Sequence, residues 1–257
     1  MDIILIGSGN VATAIGLKCM VSGHRILQVY SRQETHSREL AERLSADSTT
    51  AIYSIFRRAD ITIIALQDDA LRAFIHAFGQ TKSIAVHTAG AIPMSAVHEL
   101  SDSYGVLYPL QSFRKEIETI PRFTMLVDGN DSATKRKLNE FTKSIAENYL
   151  EADDETRLKY HLAATLVNNF TNYLFSLAEI FCKKENITFS ELQPLMEETV
   201  MRLRSVSPLN AQTGPAARND LSTLQKHVEI LKRYPDILSF YEKFSAEIQR
   251  FTAVNSR

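Results

Sequence analysis

Through about residue 150 the chain alternates short runs of apolar, β-branched residues with stretches whose apolar positions recur every three or four residues. The first pattern predicts strands and the second predicts helices. Strands are expected over 3–6, 26–30, 61–66, 84–87, 105–108 and 124–127, and helices over 11–20, 37–44, 69–78 and 132–147. Strand and helix in alternation give an α/β domain, a mostly parallel sheet with helices on both faces. After Glu151-Ala152-Asp153-Asp154-Glu155 the strand pattern stops. Four helices are then expected, near 156–184, 189–205, 220–233 and 235–252, with Pro194 close to a helix start and Pro208, Pro215 and Pro235 at breaks. The change of period predicts a sheet domain over 1–152 and an all-helical domain over 153–257.

Two patterns in the helical half stand apart. Leu158, Leu162, Leu166, Phe170, Tyr173, Leu177 and Phe181 form one apolar face, which is expected to be core. On the opposite side His161, Thr165, Asn168 and Asn172 recur at the same spacing, which puts His161 and Asn168 about 10 Å apart along an unbroken helix. Hydrogen-bonding groups without charge suit either a ligand groove or a structural interface. Gly214 is alone in this half, within Gln212-Thr213-Gly214-Pro215-Ala216-Ala217-Arg218-Asn219-Asp220. The turn can aim Arg218 at an anion, or simply be a loop in which Asn219 or Asp220 caps the next helix.

The opening segment carries the most specific chemistry. Ile3-Ile4-Leu5-Ile6 runs into Gly7-Ser8-Gly9-Asn10-Val11-Ala12 and on to Gly16. A turn from strand to helix with glycine at the first two positions and a small third residue, here Ala12, lets backbone approach a pyrophosphate at a helix N-terminus. Gly7, Ser8, Gly9, Asn10 and Val11 are therefore the expected phosphate cradle. Where the second strand ends, an NAD-selective site would place an acid against the ribose 2′-hydroxyl, but this chain has Ser31-Arg32. A hydroxyl and a planar guanidinium suit a 2′-phosphate, which favours NADP over NAD, although Gln28 or Glu34 could meet an NAD ribose. The ends of later strands, Leu66-Gln67-Asp68 and His87-Thr88, complete the expected cofactor edge, with Asp69 read as an N-cap. His87 is also a candidate for catalysis or for a structural hydrogen bond.

Composition narrows the function. Lys and Arg total 29 against 30 Asp and Glu, a formal charge of −1, so no global field attracts nucleic acid or an anionic membrane. A small-molecule substrate is the expected partner. Cys19 and Cys182 lie far apart and outside metal-ligand spacing, which predicts core thiols, no metal site and a cytoplasmic protein. No apolar run approaches the roughly 20 residues that cross a bilayer, and no leader pattern precedes the first strand.

Taken together, His87-Thr88-Ala89-Gly90, Pro109-Leu110-Gln111-Ser112-Phe113, His161-Leu162-Ala163-Ala164 with Asn168-Asn169-Phe170, and Thr213-Gly214-Pro215 with Arg218 and Asp220 resemble one family. It comprises two-domain, NADP-binding Rossmann proteins whose helical C-terminal half is domain of unknown function 2520. The chain is similar in layout to pyrroline-5-carboxylate reductase, deazaflavin-dependent NADP oxidoreductases and the 6-phosphogluconate dehydrogenase superfamily. The resemblance implies a sheet domain carrying NADP, a helical domain that forms a homodimer, and a substrate cleft between the two domains. It departs at Tyr108, where many relatives have histidine, and at Ala164 and Thr165, where hydroxyacid dehydrogenases carry a lysine four residues before an asparagine.

The expected activity is hydride transfer between NADP(H) and a small carbonyl, imine or deazaflavin-type substrate. His161 is the first candidate for proton transfer, since an ordinary histidine titrates near 6.5. Thr165 and Asn168 would orient the substrate, and Arg218 would hold an anionic group on it. An NADP-binding regulatory or scaffold protein without catalysis is the alternative, favoured by the missing lysine. An S-adenosylmethionine methyltransferase also uses a glycine-rich turn but normally keeps the acid that Ser31-Arg32 replaces.

Overall fold

Alternate residues of the first strand decide how the sheet is covered. Ile3 and Leu5 face one side, Ile4 and Ile6 the other, and all four are fully buried, so both faces need an apolar layer. The computed structural model describes residues 1–116 and 119–255. Its first part runs β1 (Asp2–Ile6), α1 (Asn10–Val21), β2 (Arg25–Tyr30), α2 (Glu34–Leu44), β3 (Asp47–Thr49), β4 (Ile61–Ile64), α3 (Asp68–Phe78), β5 (Ile84–His87), β6 (Tyr104–Leu110), β7 (Thr124–Gly129), α4 (Ser132–Ile145) and β8 (Asn148–Glu151). Ala12 and Ile15 of α1, Leu40 and Leu44 of α2, and Leu138 and Phe141 of α4 cover the Ile3 side. Leu71, Phe74 and Phe78 of α3, with Val97 and Leu100 of a short 3-10 segment, cover the Ile4 side.

The eight strands lie in the order β3-β2-β1-β4-β5-β6-β7-β8. All neighbours are parallel except β6 and β7. The chain leaves β1 toward β2 on one side and returns as β4 on the other, so the carboxyl ends of β1 and β4 flank the switch point where open α/β sheets bind ligands. Gly16 lets α1 sit tightly, because a Cβ there would come 2.7 Å from a Leu44 methyl and 3.2 Å from one of Leu5. Cys19 and Cys182 are buried free thiols, and burial pushes the Cys19 thiol up to about 12.

Contacts divide the chain at 170/171, whereas the expected boundary at 152/153 follows the change from strand to helix; the two compact units are Met1–Phe170 and Thr171–Arg257. The first unit therefore includes α5 (Asp154–Ala164), capped by Asp153, and a π-helical turn at Thr165–Phe170. The second contains α6 (Thr171–Lys184), α7 (Gln193–Met201), α8 (Pro208–Ala211), α9 (Leu221–Leu231) and α10 (Pro235–Asn255). The single helix expected over 156–184 is thus α5, the π turn and α6. Its apolar face is not core over most of its length: Leu158, Leu162, Leu166, Phe170 and Tyr173 are about half exposed or more, and Leu177 is buried. Apolar spacing identifies a face that needs cover, but not whether this chain supplies the cover.

Candidate functional site

The loop after β1 has the backbone that a phosphate cradle requires. Gly7 has φ +118°, and a Cβ there would sit 2.3 Å from the Ala65 carbonyl oxygen, so the turn excludes any side chain. Gly9 is different, since a Cβ at that position meets nothing within 4 Å and looks onto open space. It is the N-cap residue of α1, whose first amides receive no side-chain cap and whose first turn, Asn10-Val11-Ala12, holds no acid. Unpaired amides with partial positive charge are an anion site in waiting.

Ser8 Oγ donates to Ser31 Oγ at 2.8 Å, tying the glycine loop to the end of β2. Arg32 is the next residue, exposed and without a carboxylate ion pair among the described residues. Gln28, the alternative ribose contact, is 4 % exposed, and its amide is spent on the Ser54 carbonyl and the Phe56 N–H. Glu34 pairs with Arg38 one helical turn away. Next to Ser8, a pocket of about 360 Å³ is lined by Thr13, His36, Glu39, Arg43 and Lys115 among others. The backbone N–H of Lys115 reaches Asn10 Oδ1 at 3.2 Å. Arg43 and Lys115, with Glu39 and Glu42 beside them, give no signal in the sequence, because α2 and the stretch after β6 meet the loop only in the fold.

Along the same edge, Leu66 and Gln67 link β4 to α3, and Asp68 opens that helix. Asp69 is not its N-cap: Gln67 occupies that position without a side-chain bond, and Asp69 lies within the first turn. Thr88, nearly buried, donates its N–H to the Ile64 carbonyl. His87 is fully buried at the end of β5. Its Nε2 donates to the Pro93 carbonyl and its Nδ1 accepts the Ala89 N–H, both at 3.2 Å. Burial, and then the nearby Arg157 charge, lowers its pKa to about 4. His87 therefore stays neutral with both nitrogens engaged, which suits the structural reading and leaves no nitrogen for proton transfer.

The loop that His87 holds presses on a second histidine. A Cβ at Gly90 would lie 2.7 Å from His161 Nδ1 and 3.0 Å from Tyr108 Cζ. Tyr108, in β6, and His161, in α5, meet through Oη and Nδ1 at 2.9 Å, with their rings edge to face. Beneath them Arg157 is 1 % exposed. Its Nη2 donates to the Ile92 carbonyl at 2.5 Å and to Asp154 Oδ1 at 2.7 Å, while Nε and Nη1 have no hydrogen-bond partner. Asp154 Oδ1 also accepts the Met94 N–H, which clamps the start of α5 to the loop after β5. Burial raises the Tyr108 phenol, with Arg157 pulling weakly the other way. A buried arginine leaves no periodic signature, and Tyr108 stands out in the sequence only as a departure from relatives, so neither is legible there as a site residue.

The polar stripe beyond His161 is interrupted. The π turn inserts one residue into the α-helical count, which rotates the residues beyond it by about 100° relative to an unbroken helix. Thr165 donates its hydroxyl to the His161 carbonyl at 3.1 Å, and Asn168 and Asn172 are exposed. Arg218 belongs to the second unit, on the turn after Gly214, whose φ is +102°. Of the two expected caps, Asp220 is the one used, accepting the Thr223 N–H at 3.1 Å. Also within that unit, an apolar cavity of about 680 Å³ is walled by α6, α9 and α10. Among the described residues no cluster of three or more His, Cys, Asp or Glu could hold a metal, and no helix is long and apolar enough to cross a membrane.

Residues 2–88 match the family model for coenzyme F420-dependent NADP oxidoreductases, and residues 123–248 match domain of unknown function 2520. Among solved structures, a Bacteroides fragilis protein assigned as an NADP oxidoreductase is 34% identical over 97% of this chain and 98% of that one, with a TM-score of 0.91. The imine reductase of Myxococcus stipitatus, solved with NADP+, shares the fold at TM-score 0.64 and 14% identity, covering 100% of this chain and 95% of that one. The 1-pyrroline-5-carboxylate reductase of Streptococcus pyogenes does so at TM-score 0.63 and 15% identity, covering 97% and 98%. No curated protein matches the chain.

Proposed function

Because this chain belongs to the family of NADP oxidoreductases that carry domain of unknown function 2520 as their C-terminal half, we propose that it binds NADP(H) and reduces a small carbonyl or imine, or exchanges hydride with a deazaflavin-type partner. The residues present fit the nucleotide. Gly9 leaves open space over the uncapped amides of α1, and Ser31-Arg32 stands where an NAD site would hold an acid. Ser8, Asn10 and Val11 flank the pyrophosphate position, with Leu66, Gln67, Asp68 and Thr88 along the strand ends beyond it. When bound, the cofactor supplies the hydride.

The protein's own contribution is binding, orientation and a hydrogen-bond donor. The single observation that carries this reading is the His161–Tyr108 pair pressed against Gly90 beyond the carboxyl end of β5. A dinucleotide whose adenosine half lies over β1 and β2 presents its other half toward β4, β5 and β6. His161 is the group proposed to hold or give a proton there, with Thr165 and Asn168, on the π turn that follows, proposed to orient the substrate. Arg218, a guanidinium on a rigid turn, is proposed to hold an anionic group of the substrate. In NADPH oxidation with cyclic imines and small carbonyls, His161→Ala should lower turnover about a hundred-fold with NADPH affinity unchanged. Unchanged turnover would remove His161 from the reaction, and a wild-type protein that binds NADPH yet reduces no member of a broad panel would favour the regulatory reading.

Homodimerisation through the helical unit is part of the proposal. Among the described residues of Thr171–Arg257 only Leu177, Cys182, Ala216 and Leu231 are buried, while Leu195, Val200, Leu209 and Leu221 are at least 60 % exposed. So few buried side chains make no independent core, and a second copy is the cover proposed for these faces. The two free, buried thiols accord with a reducing, cytoplasmic setting.

A further inference from the structure

Between a strand that ends at the ligand edge and the first helix beyond the sheet, one hydrogen bond has a direction that chemistry can decide. The 2.9 Å contact from Tyr108 Oη to His161 Nδ1 has two forms. Either the phenol donates and the imidazole carries its proton on Nε2, or Nδ1–H donates and Nε2 is bare. The first form offers a substrate a donor, whereas the second offers only an acceptor.

We propose that Tyr108 is the positioning residue of this site: its O–H donates to Nδ1, holds His161 in the Nε2–H tautomer and leaves Nε2–H as the donor toward a carbonyl oxygen or imine nitrogen. The proposal rests on the reading of His161 as the group that meets the substrate.

Three observations favour this direction. The guanidinium of Arg157 is buried with Nε and Nη1 unpartnered, and its charge acts on the phenol. Positive charge that acts on the phenol favours a phenolic O–H pointed away from it, with the oxygen's negative end left toward the guanidinium. The other titratable groups on the surrounding elements do not reverse this balance. Asp154 is engaged by Arg157 Nη2 and the Met94 N–H, and His87 is neutral and bonded at both nitrogens. Burial also keeps the Tyr108 proton on the phenol, so the donor is present at neutral pH.

Second, His161 Nε2 has no hydrogen-bond partner within the first unit among the described residues. A base whose far nitrogen is fixed by a third group, with the near one free, is the arrangement by which an imidazole is oriented for work on a ligand. Third, Gly90 leaves no slack. Its Cα packs where a Cβ would sit 2.9 Å from His161 Cγ and 3.0 Å from Tyr108 Cζ, so the bare backbone fixes both rings. The turn bearing Gly90 is itself held by His87 and by the clamp of Arg157 and Asp154. Arginine, histidine and glycine thus converge on one bond between two side chains.

Long-range ¹H–¹⁵N correlation on the full chain labelled at histidine reads the tautomer directly, with His161 assigned by its loss in His161→Asn. The expected result is an Nε2–H imidazole in the wild type and a mixture of tautomers in Tyr108→Phe, with far-ultraviolet circular dichroism unchanged. Gly90→Ala, which drives a methyl onto Nδ1, is a second route to the same change should Tyr108→Phe fold poorly. An Nδ1–H tautomer in the wild type, or an Nε2–H tautomer that survives loss of the phenol, overturns the proposal. Neither readout requires cofactor, so failure of NADPH to bind would strike the oxidoreductase reading while this result stood separately.

Discussion

His87 and His161 share a residue type and a neighbourhood, and the fold gives them different surroundings: both nitrogens of His87 are bonded, and His161 is bonded through Nδ1 to Tyr108. His87 ends an apolar strand, and being fully buried its imidazole costs free energy to protonate. Its folded pKa of about 4 lies below the ordinary 6.5, so between those values the unfolded chain binds the additional proton. Stability from this residue is complete above about pH 6.5 and falls as the pH drops toward 4, by up to about 3 kcal/mol. His87→Asn cannot titrate, so denaturant melts across this window should show a flatter pH dependence than the wild type. Equal slopes would mean that His87 is hydrated or charged in the native protein. Sequence could place both histidines near strand or helix ends, but it could not separate them, because the discriminating facts are long-range: the Pro93 carbonyl for one and the Tyr108 hydroxyl for the other.

At the scale of elements, the glycine loop joins two kinds of constraint that one motif conflates. Gly7 is required by the fold itself, through positive φ and the Ala65 carbonyl, whereas Gly9 has ordinary φ and an open approach. Gly7→Ala should destabilise the protein by at least about 2 kcal/mol in denaturant melts. Gly9→Ala should leave the melt nearly unchanged and weaken NADPH binding about ten-fold or more, because there a methyl enters the open space proposed for the phosphates. If both variants lose stability equally, Gly9 is structural. The strands with apolar runs, β1, β2, β4 and β5, are all legible in the sequence. The three residues of β3 and four of β8 are not, since β8 is exposed throughout and β3 has no buried residue. The π turn is also invisible: Thr165–Phe170 reads as ordinary helix, and its wider winding displaces Asn168 from the line drawn through His161.

At the scale of the whole molecule, a mostly parallel sheet followed by a helical region is legible in the sequence, because both arise from repeating local patterns. The sequence misassigns the apolar face running from Leu158 to Tyr173 as core, because apolar spacing marks a face that needs cover without saying what supplies it. Light scattering should accordingly give twice the mass of the chain. Charge placed on an exposed apolar position of α10, as in Phe244→Asp, should shift the protein toward monomer and lower its melting temperature. A monomeric wild type would leave those faces unexplained. Whether the loop after β1 grips the diphosphate of NADP, with Ser31 and Arg32 reading its 2′-phosphate, is decided by titrating the protein with NADPH and with NADH. NADPH should bind at least about ten-fold tighter than NADH, a difference of about 1.4 kcal/mol, most of it lost in Arg32→Ala. Tighter binding of NADH, or no association of either nucleotide at millimolar concentration, would contradict it.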